Sequence, residues 1–194
     1  MGEGKVWIAT IRDRKSVVDV VTLGFSSDPM TRWTLPNPAQ YLAVMPEIAD
    51  AFGGKAFEHG SVYCVDDFSG AALWLPPGIE PDSERLGALI ARHAPAPVLE
   101  DVGGVLEQMA AYHPHEPHWY LPLIAVDPAC QGRGLGGALL KRALARCDAD
   151  RLPAYLESSN PRNITLYQRN GFEILGRIQA GSSPVVTPML RTSR

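Results

Sequence analysis

Three scarcities narrow what this 194-residue chain is. Cysteine occurs only as Cys64, Cys130 and Cys147. An odd number without Cys-x-x-Cys pairs gives neither a disulfide framework nor a zinc site, and reduced thiols in a cytoplasmic protein are the simplest expectation. Long apolar runs are missing: no stretch reaches the roughly 20 residues of a membrane span, and no apolar signal-peptide core follows Lys5. Basic runs are missing too, and a formal net charge of −3 leaves no footprint for nucleic acid. Met1-Gly2 opens a myristoylation signature, but Val6 stands where Ser or Thr belongs. His113, His115 and His118 share a proline-rich loop with spacing too irregular for a tetrahedral site, so no metal is expected. What is left is a globular chain, suited to one domain over residues 1–194 with a sizeable core.

The most informative stretch runs from Trp119 to Gly137. An apolar strand, Trp119 to Val126, leads through Asp127 to Gln131 into the turn Gly132-Arg133-Gly134-Leu135-Gly136-Gly137 and a helix. Backbone N–H groups of such a turn converge on one spot, which the positive end of the following helix dipole also faces. A pyrophosphate fits there. The P-loop reading fails, because no Lys-Ser or Lys-Thr follows the glycines. Gly132, Gly134 and Gly137 satisfy the dinucleotide pattern G-x-G-x-x-G, with Glu157 at about the spacing of a ribose-binding acid. Five residues nevertheless separate strand from first glycine, and too little chain follows for further βα units.

Elsewhere the pattern predicts a strand over Val6–Arg12, a helix over Arg14–Phe25 and a break at Ser26-Ser27-Asp28-Pro29. Leu42, Met45, Ile48 and Phe52 fall at helical spacing after Leu35-Pro36-Asn37-Pro38. Two strands joined by a turn cover residues 62–75. Residues 82–112 read as two helices split at Ala94-Pro95-Ala96-Pro97. After the glycine turn come a helix over Gly134–Asp148, a strand over Ala154–Ser158, a helix over Asn163–Asn170 capped by Gly171, and strands over Phe172–Ile178 and Val185–Arg191. This order is α/β with a mixed central sheet flanked by helices.

Leu123 to Gly136 resembles the coenzyme A loop of the GNAT superfamily of N-acetyltransferases, Val-x-Pro-x-x-Gln-x-x-Gly-x-Gly/Ala. Downstream, Asn160-Pro161-Arg162-Asn163-Ile164-Thr165-Leu166-Tyr167-Gln168-Arg169-Asn170-Gly171-Phe172 is similar to that superfamily's Asn-x-x-x-x-x-Leu-Tyr-x-x-x-Gly-Phe helix. Within the superfamily, Glu116 to Leu121, Pro153 to Ser159 and Pro161-Arg162-Asn163 resemble the puromycin N-acetyltransferase-like group, with a fainter echo in Phe25 to Pro29 and Trp33. The resemblance implies the GNAT fold and acetyl transfer from acetyl-coenzyme A to a primary amine of a small molecule. Acetylation of a protein or peptide amine, or a non-catalytic acyl-coenzyme A module, are its rivals.

Such a transfer needs the cofactor held, the amine neutral, the carbonyl oxygen stabilised and the thiolate protonated. Gln131, Gly132, Arg133, Gly134, Gly136 and Gly137 meet the first need at the pyrophosphate, and the ends of Ile124 and Val126 would pair with the pantetheine arm like a strand. Asn160 and Asn163 are further candidate cofactor contacts, although Asn160 before Pro161 equally suits a helix cap. Tyr167 is the candidate acid, since a departing thiolate is basic enough to take a phenolic proton. Spacing does not fix the base: Glu157, His118 and Glu116 lie near the expected site, and Glu157 is carried as the candidate. Trp33, Trp119 and Tyr120 are candidate walls for a bulky or aromatic amine, with Trp74 a weaker one. Cys130 lies near the loop without a readable His partner, which favours direct transfer in a ternary complex. The expected partner is a small-molecule amine, with neither nucleic acid nor membrane, and a homodimer is compatible with the sequence.

Overall fold

Alternating apolar residues build a sheet whose two faces carry separate cores. Its strands are β1 (Val6–Ile8), β2 (Val62–Val65), β3 (Gly70–Leu75), β4 (Trp119–Val126), β5 (Ala154–Ser158), β6 (Glu173–Ile174) and β7 (Thr187–Arg191). They lie in the order β1-β2-β3-β4-β5-β7-β6, antiparallel except for β4 beside β5. The computed structural model describes residues 4–194, and the Met1-Gly2 signature lies outside the described residues. One face packs Ala71, Leu73 and Leu75 against Val17, Val20, Tyr41 and Met45, which belong to α1 (Arg14–Gly24) and α3 (Pro38–Gly53). The other packs Ala72 and Trp74 against Leu139, Leu140 and Leu144 of α6 (Leu135–Ala149), with Tyr167 from α7 (Ile164–Arg169). Strand period two decides which residue joins which core.

The α/β order read from sequence is the observed one, and β4 and β5 have the expected bounds. Two of the differences have local causes. The first strand ends at Ile8, because Thr10 and Asp13 cap a 3-10 turn there: Thr10 donates its backbone N–H (2.8 Å) and its hydroxyl (2.9 Å) to the Asp13 carboxylate. The break at Ser26-Ser27 is followed at once by α2 (Pro29–Thr34), whose N-cap Asp28 accepts the Thr31 N–H at 3.0 Å. Asp followed by Pro is a helix start as much as a helix stop. Residues 172–178 give only the short β6 and a lone bridge from Ile178 to Val186. Leu42, placed on the inner face by spacing, is 61% exposed.

Residues 83–112 form α4 (Ser83–His93) and α5 (Leu99–Tyr112), split as expected. Polar ties hold α5 to the loop between β6 and β7. Asp101 accepts the Ser182 N–H and hydroxyl, both at 2.8 Å, and Gln108 exchanges two hydrogen bonds with the Gln179 backbone.

Arg191 on β7 ties the two helices behind the sheet together. Its guanidinium makes two 2.8 Å bonds to Asp148 of α6, and its Nε donates to the Asn170 carbonyl at the end of α7 at 3.0 Å. The Arg191 side chain is 5% exposed. These bonds, with the Arg194 backbone N–H, hold the Asp148 carboxyl below the usual Asp range. Asp148→Asn should therefore cost about 1.5–3 kcal/mol at pH 7, the range for hydrogen bonds to a charged group. A carboxyl depressed on folding stabilises above its unfolded value, about 3.9, and that stabilisation is lost as pH falls through the folded value. Urea denaturation of both proteins should show the gap at pH 7 and its narrowing below about pH 4.

Candidate active site

A bulge in β4 opens the sheet. Leu73 pairs with Leu123 and Leu75 with Tyr120, so two steps along β3 span three along β4. The extra residue falls at Leu121-Pro122, and Pro122 has no N–H to give to a ladder. Side-chain sides switch accordingly: Tyr120 and then Leu123 and Ala125 join one core, while Trp119, Leu121 and then Ile124 and Val126 join the other. Beyond the bulge β4 no longer pairs with β5, whose contacts stop at Trp119↔Ala154 and Tyr120↔Tyr155. Asp127 N–H points toward β3, where it donates to Ser69 at 2.9 Å. Backbone direction alternates along a strand, so the polar groups of Ile124 and Val126 face the opening.

At the mouth of this opening lies the glycine turn. Asp127 accepts the Ala129 N–H at 2.8 Å and shapes the descent from the strand. Gln131 reaches back to the Val126 carbonyl at 3.3 Å, and Arg133 to the Ala129 carbonyl at 3.2 Å. Gly132 and Gly134 have φ of +77° and +84°, and a Cβ at either would meet open space. The backbone conformation requires glycine, and the space beside it is left for a ligand. The first intrahelical bond of α6 runs from Ala138 N–H to the Gly134 carbonyl at 3.1 Å. The N–H groups of Leu135, Gly136 and Gly137 therefore point out of the helix end, as an anion site needs. A Cβ on Gly136 would stand 3.3 Å from Leu166 of α7, which sets the first turn of α6 against the helix carrying Tyr167.

The opposite wall comes from β5 and α7. Ile124, Glu157, Ser158, Ser159, Asn160, Asn163 and Tyr167 all border one cavity of about 220 Å³. Asn160 caps the turn before α7 by accepting the Arg162 N–H at 3.1 Å, so its oxygen is engaged structurally. Asn163 sits at the start of α7 with no side-chain cap bond, leaving its amide toward the cavity. Tyr167 is 4% exposed and packs edge-on to Phe172, ring centroids 6.0 Å apart. Burial first, and the Asp28 charge second, raise its phenol above the ordinary Tyr value. It is a neutral proton donor at physiological pH.

The rest of the cavity is apolar: Phe25, Met30, Ile48, Phe52, Leu86, Ile90, Val105 and Met109 border it. Its carboxylates are Asp28 and Glu157. Asp28 is 5% exposed and accepts the Ser159 hydroxyl at 2.6 Å, joining α2 to β5. Glu157, with a side chain 4% exposed, faces His113, Nδ1 to Oε1 3.8 Å. Burial and then the Glu157 charge push the Tyr120 and Tyr155 phenols up. The Tyr155 hydroxyl is buried without a hydrogen-bond partner.

The candidate amine walls are corrected by the structure. Trp119 is 2% exposed in the core against α6, its indole N–H bonded to Asp150 at 3.0 Å and Arg146 over its ring. Trp74 is fully buried in the same core. Tyr120 packs behind Phe52 and His113, and Trp33 on α2 is half-buried; neither borders the cavity. A strand puts alternate residues on opposite faces, and aromatic bulk alone does not say which face is hollow. The apolar residues of the cavity were missed because they lie scattered over α1–α5 as ordinary amphipathic positions. Burial pushes the Cys64 and Cys147 thiols up to about 12, so neither is a nucleophile. Among the described residues no group of three or more His, Cys, Asp or Glu could hold a metal ion, and no helix is long and apolar enough to cross a membrane.

Residues 93–174 match the family model of the acetyltransferase (GNAT) domain. An N-acetyltransferase of Schizosaccharomyces pombe is 27% identical over 180 residues, covering 83% of this chain and 71% of that protein. A mycothiol acetyltransferase of Acidothermus cellulolyticus is 30% identical over 161 residues, 76% of this chain but only 49% of that protein. A crystal structure from Corynebacterium glutamicum, described as histone acetyltransferase HPA2 and related acetyltransferase, superposes with a TM-score of 0.70 at 26% identity, covering 100% of this chain and 98% of that one. The segment matched by the family model holds the bulged strand, the glycine turn and the tyrosine helix, so the likeness to the GNAT acetyltransferases falls on the site itself.

Proposed function

We propose that this acetyltransferase moves an acetyl group from acetyl-coenzyme A directly to the primary amine of a small molecule with an apolar body. The observation that carries the reading is the cavity, which joins a tyrosine phenol and a buried carboxylate to a wall of methionine, leucine, isoleucine and phenylalanine. An apolar recess with few polar groups suits a compact ligand. A Drosophila melanogaster enzyme of the same fold is described as a polyamine N-acetyltransferase forming N-acetylagmatine. That likeness, at 14% identity and a TM-score of 0.61, supports the fold and leaves the acceptor to the cavity.

Acetyl-coenzyme A supplies the activated thioester. The positive-φ glycines and the free N–H groups opening α6 fit its pyrophosphate, and the free edge of Ile124 and Val126 fits its amide-bearing arm. Gln131 and Arg133 brace the turn from within through the Val126 and Ala129 carbonyls. Val126 N–H is the donor for the carbonyl oxygen as it gains charge. Glu157 takes the proton from the amine, and Tyr167 gives one to the leaving sulfur. Asn163 adds a cofactor contact from the facing wall. No nucleophile enters, and the acetyl group passes in one ternary complex.

Three measurements test this. Acetyl-coenzyme A should raise the melting temperature by mass action, worth about 2.7 kcal/mol at a hundredfold excess over its dissociation constant. Gly134→Val should remove that protection, because a β-branched residue resists φ of +84° and fills the ligand's space. Tyr167→Phe should slow thiol release by about a hundredfold, the lower end for a general acid, with thermal protection retained. A rate within about twofold of the parent, far outside that range, would take Tyr167 out of the mechanism. In a thiol-release panel of arylalkylamines, puromycin, polyamines and short peptides, amines with one charge and an apolar body should give the highest kcat/KM. Equal or faster turnover of peptides would move the assignment to protein acetylation, and binding without turnover of any amine would make the chain an acyl-coenzyme A module.

A further inference from the structure

Asp28 carries a buried carboxylate for which the fold supplies no counter-ion. It borders the cavity, is 5% exposed, and caps the first turn of α2. Its Oδ1 accepts the Thr31 N–H at 3.0 Å and the Thr31 hydroxyl at 3.1 Å, and its Oδ2 accepts the Ser159 hydroxyl at 2.6 Å. Three donors converging on one group are what an acceptor-only carboxylate takes. All three are neutral. Arg32, one turn further along α2, is committed elsewhere: its guanidinium donates to the Pro36 carbonyl at 2.7 Å and lies 4.9 Å from the centroid of the Tyr41 ring. Among the described residues no ion pair reaches Asp28.

A carboxylate taken out of water without a counter-ion is costly, and neutral hydrogen bonds offset only part of that cost. Placed at the wall of a cavity, it leaves the missing charge to whatever enters. Two carboxylate oxygens offer about four acceptor positions, and the three donors leave one open on Oδ2. The bonds to α2 and to the end of β5 also fix the group in place. Of the two cavity carboxylates, Asp28 is the one whose charge acts on the Tyr167 phenol. A nitrogen held there is close to the thioester whose sulfur that phenol protonates.

We propose that Asp28, held by Thr31 and Ser159, is the amine-binding residue of the acceptor site and makes the cavity select a cation over a neutral molecule of the same shape. This rests on the reading of the cavity as the site of a small-molecule amine, in which Glu157 keeps its place as the proton acceptor. Apolar walls alone do not tell an amine from the alcohol of the same skeleton. A buried polar anchor does, because the wrong ligand leaves it unpaired.

The test is calorimetric binding of phenethylamine and phenethyl alcohol in the presence of coenzyme A, which fills the cofactor site without reacting. The parent is compared with Asp28→Asn and Glu157→Gln, and thermal protection by acetyl-coenzyme A checks that each variant is folded. The Asp28→Asn side chain can keep the Thr31 cap through its oxygen and meet Ser159 with its amide, so charge is the main loss. The parent should bind the amine about tenfold or more tighter than the alcohol, the lower end for a hydrogen bond to a charged group. Asp28→Asn should lose that preference by weakening the amine alone. Glu157→Gln should keep the preference and lose turnover of an accepted amine. A parent without preference, or an Asp28→Asn that weakens amine and alcohol equally, would assign Asp28 to holding α2 and overturn the anchor. An Asp28→Asn that keeps the preference but stops turnover would make Asp28 a proton acceptor, and loss of the preference in Glu157→Gln alone would place the amine there; either result overturns the proposal. The parent's preference is read without any variant, so a misfolded Asp28→Asn does not shield the anchor from refutation. Failure of the parent to acetylate any amine is a separate result, which removes the amine-acceptor reading and the anchor with it.

Discussion

Interruption of one hydrogen-bond ladder underlies the rest of this structure. Seven strands would close into an unbroken sheet if β4 and β5 paired along their length. They pair at two positions only, because the bulge at Leu121-Pro122 turns β4 away. A strand edge left open inside a sheet is normally a liability, since unpaired backbone groups seek partners. Here the open edge is what an amide-bearing ligand can join. The same divergence leaves room for the cavity between α1–α5 and β5, and it brings the end of β4 to the glycine turn.

The opening functions as a site only if its walls keep their distance. One wall is the start of α6 and the other is α7, and each is short or exposed at the ligand-facing end. Arg191 holds their far ends through Asp148 and Asn170, while Gly136 and Leu166 meet at the near end. Asp28 does the same on the acceptor side by joining α2 to Ser159. Charge-assisted bonds in partly buried positions are stronger and more directional than surface pairs. Polar ties of this kind hold together elements that frame the opening.

Burial acts on the ionisable groups at and behind the cavity. It raises the Tyr167 phenol, which stays neutral where it borders the cavity, and behind β5 it disfavours the charged form of His118. An apolar wall strengthens each of these effects, because charges in a poorly hydrated recess interact more strongly than in water.

Much of the site was legible in the chain because it is local. The run from Asp127 to Gly137 dictates its own turn through the two glycines that sit at positive φ, and Asn160 to Phe172 dictates its own cap and helix. Both stretches take their shape from neighbouring residues and not from distant packing. Pro122 was a visible sign of the bulge, since proline has no place in a central ladder, yet the strand around it read as continuous. The acceptor side is different. Trp33, Trp119 and Tyr120 looked like pocket residues by chemistry, but the face on which each side chain lies follows from the bulge and from which core closes over it. Glu157 had no motif to support it, and only packing places it at the cavity beside His113, 44 positions earlier in the numbering. Sequence alone determined the glycine turn, the tyrosine helix and the order of elements, because those depend on neighbouring residues. Tertiary structure decided the hollow and its apolar lining, because those exist only where five helices and two diverging strands meet.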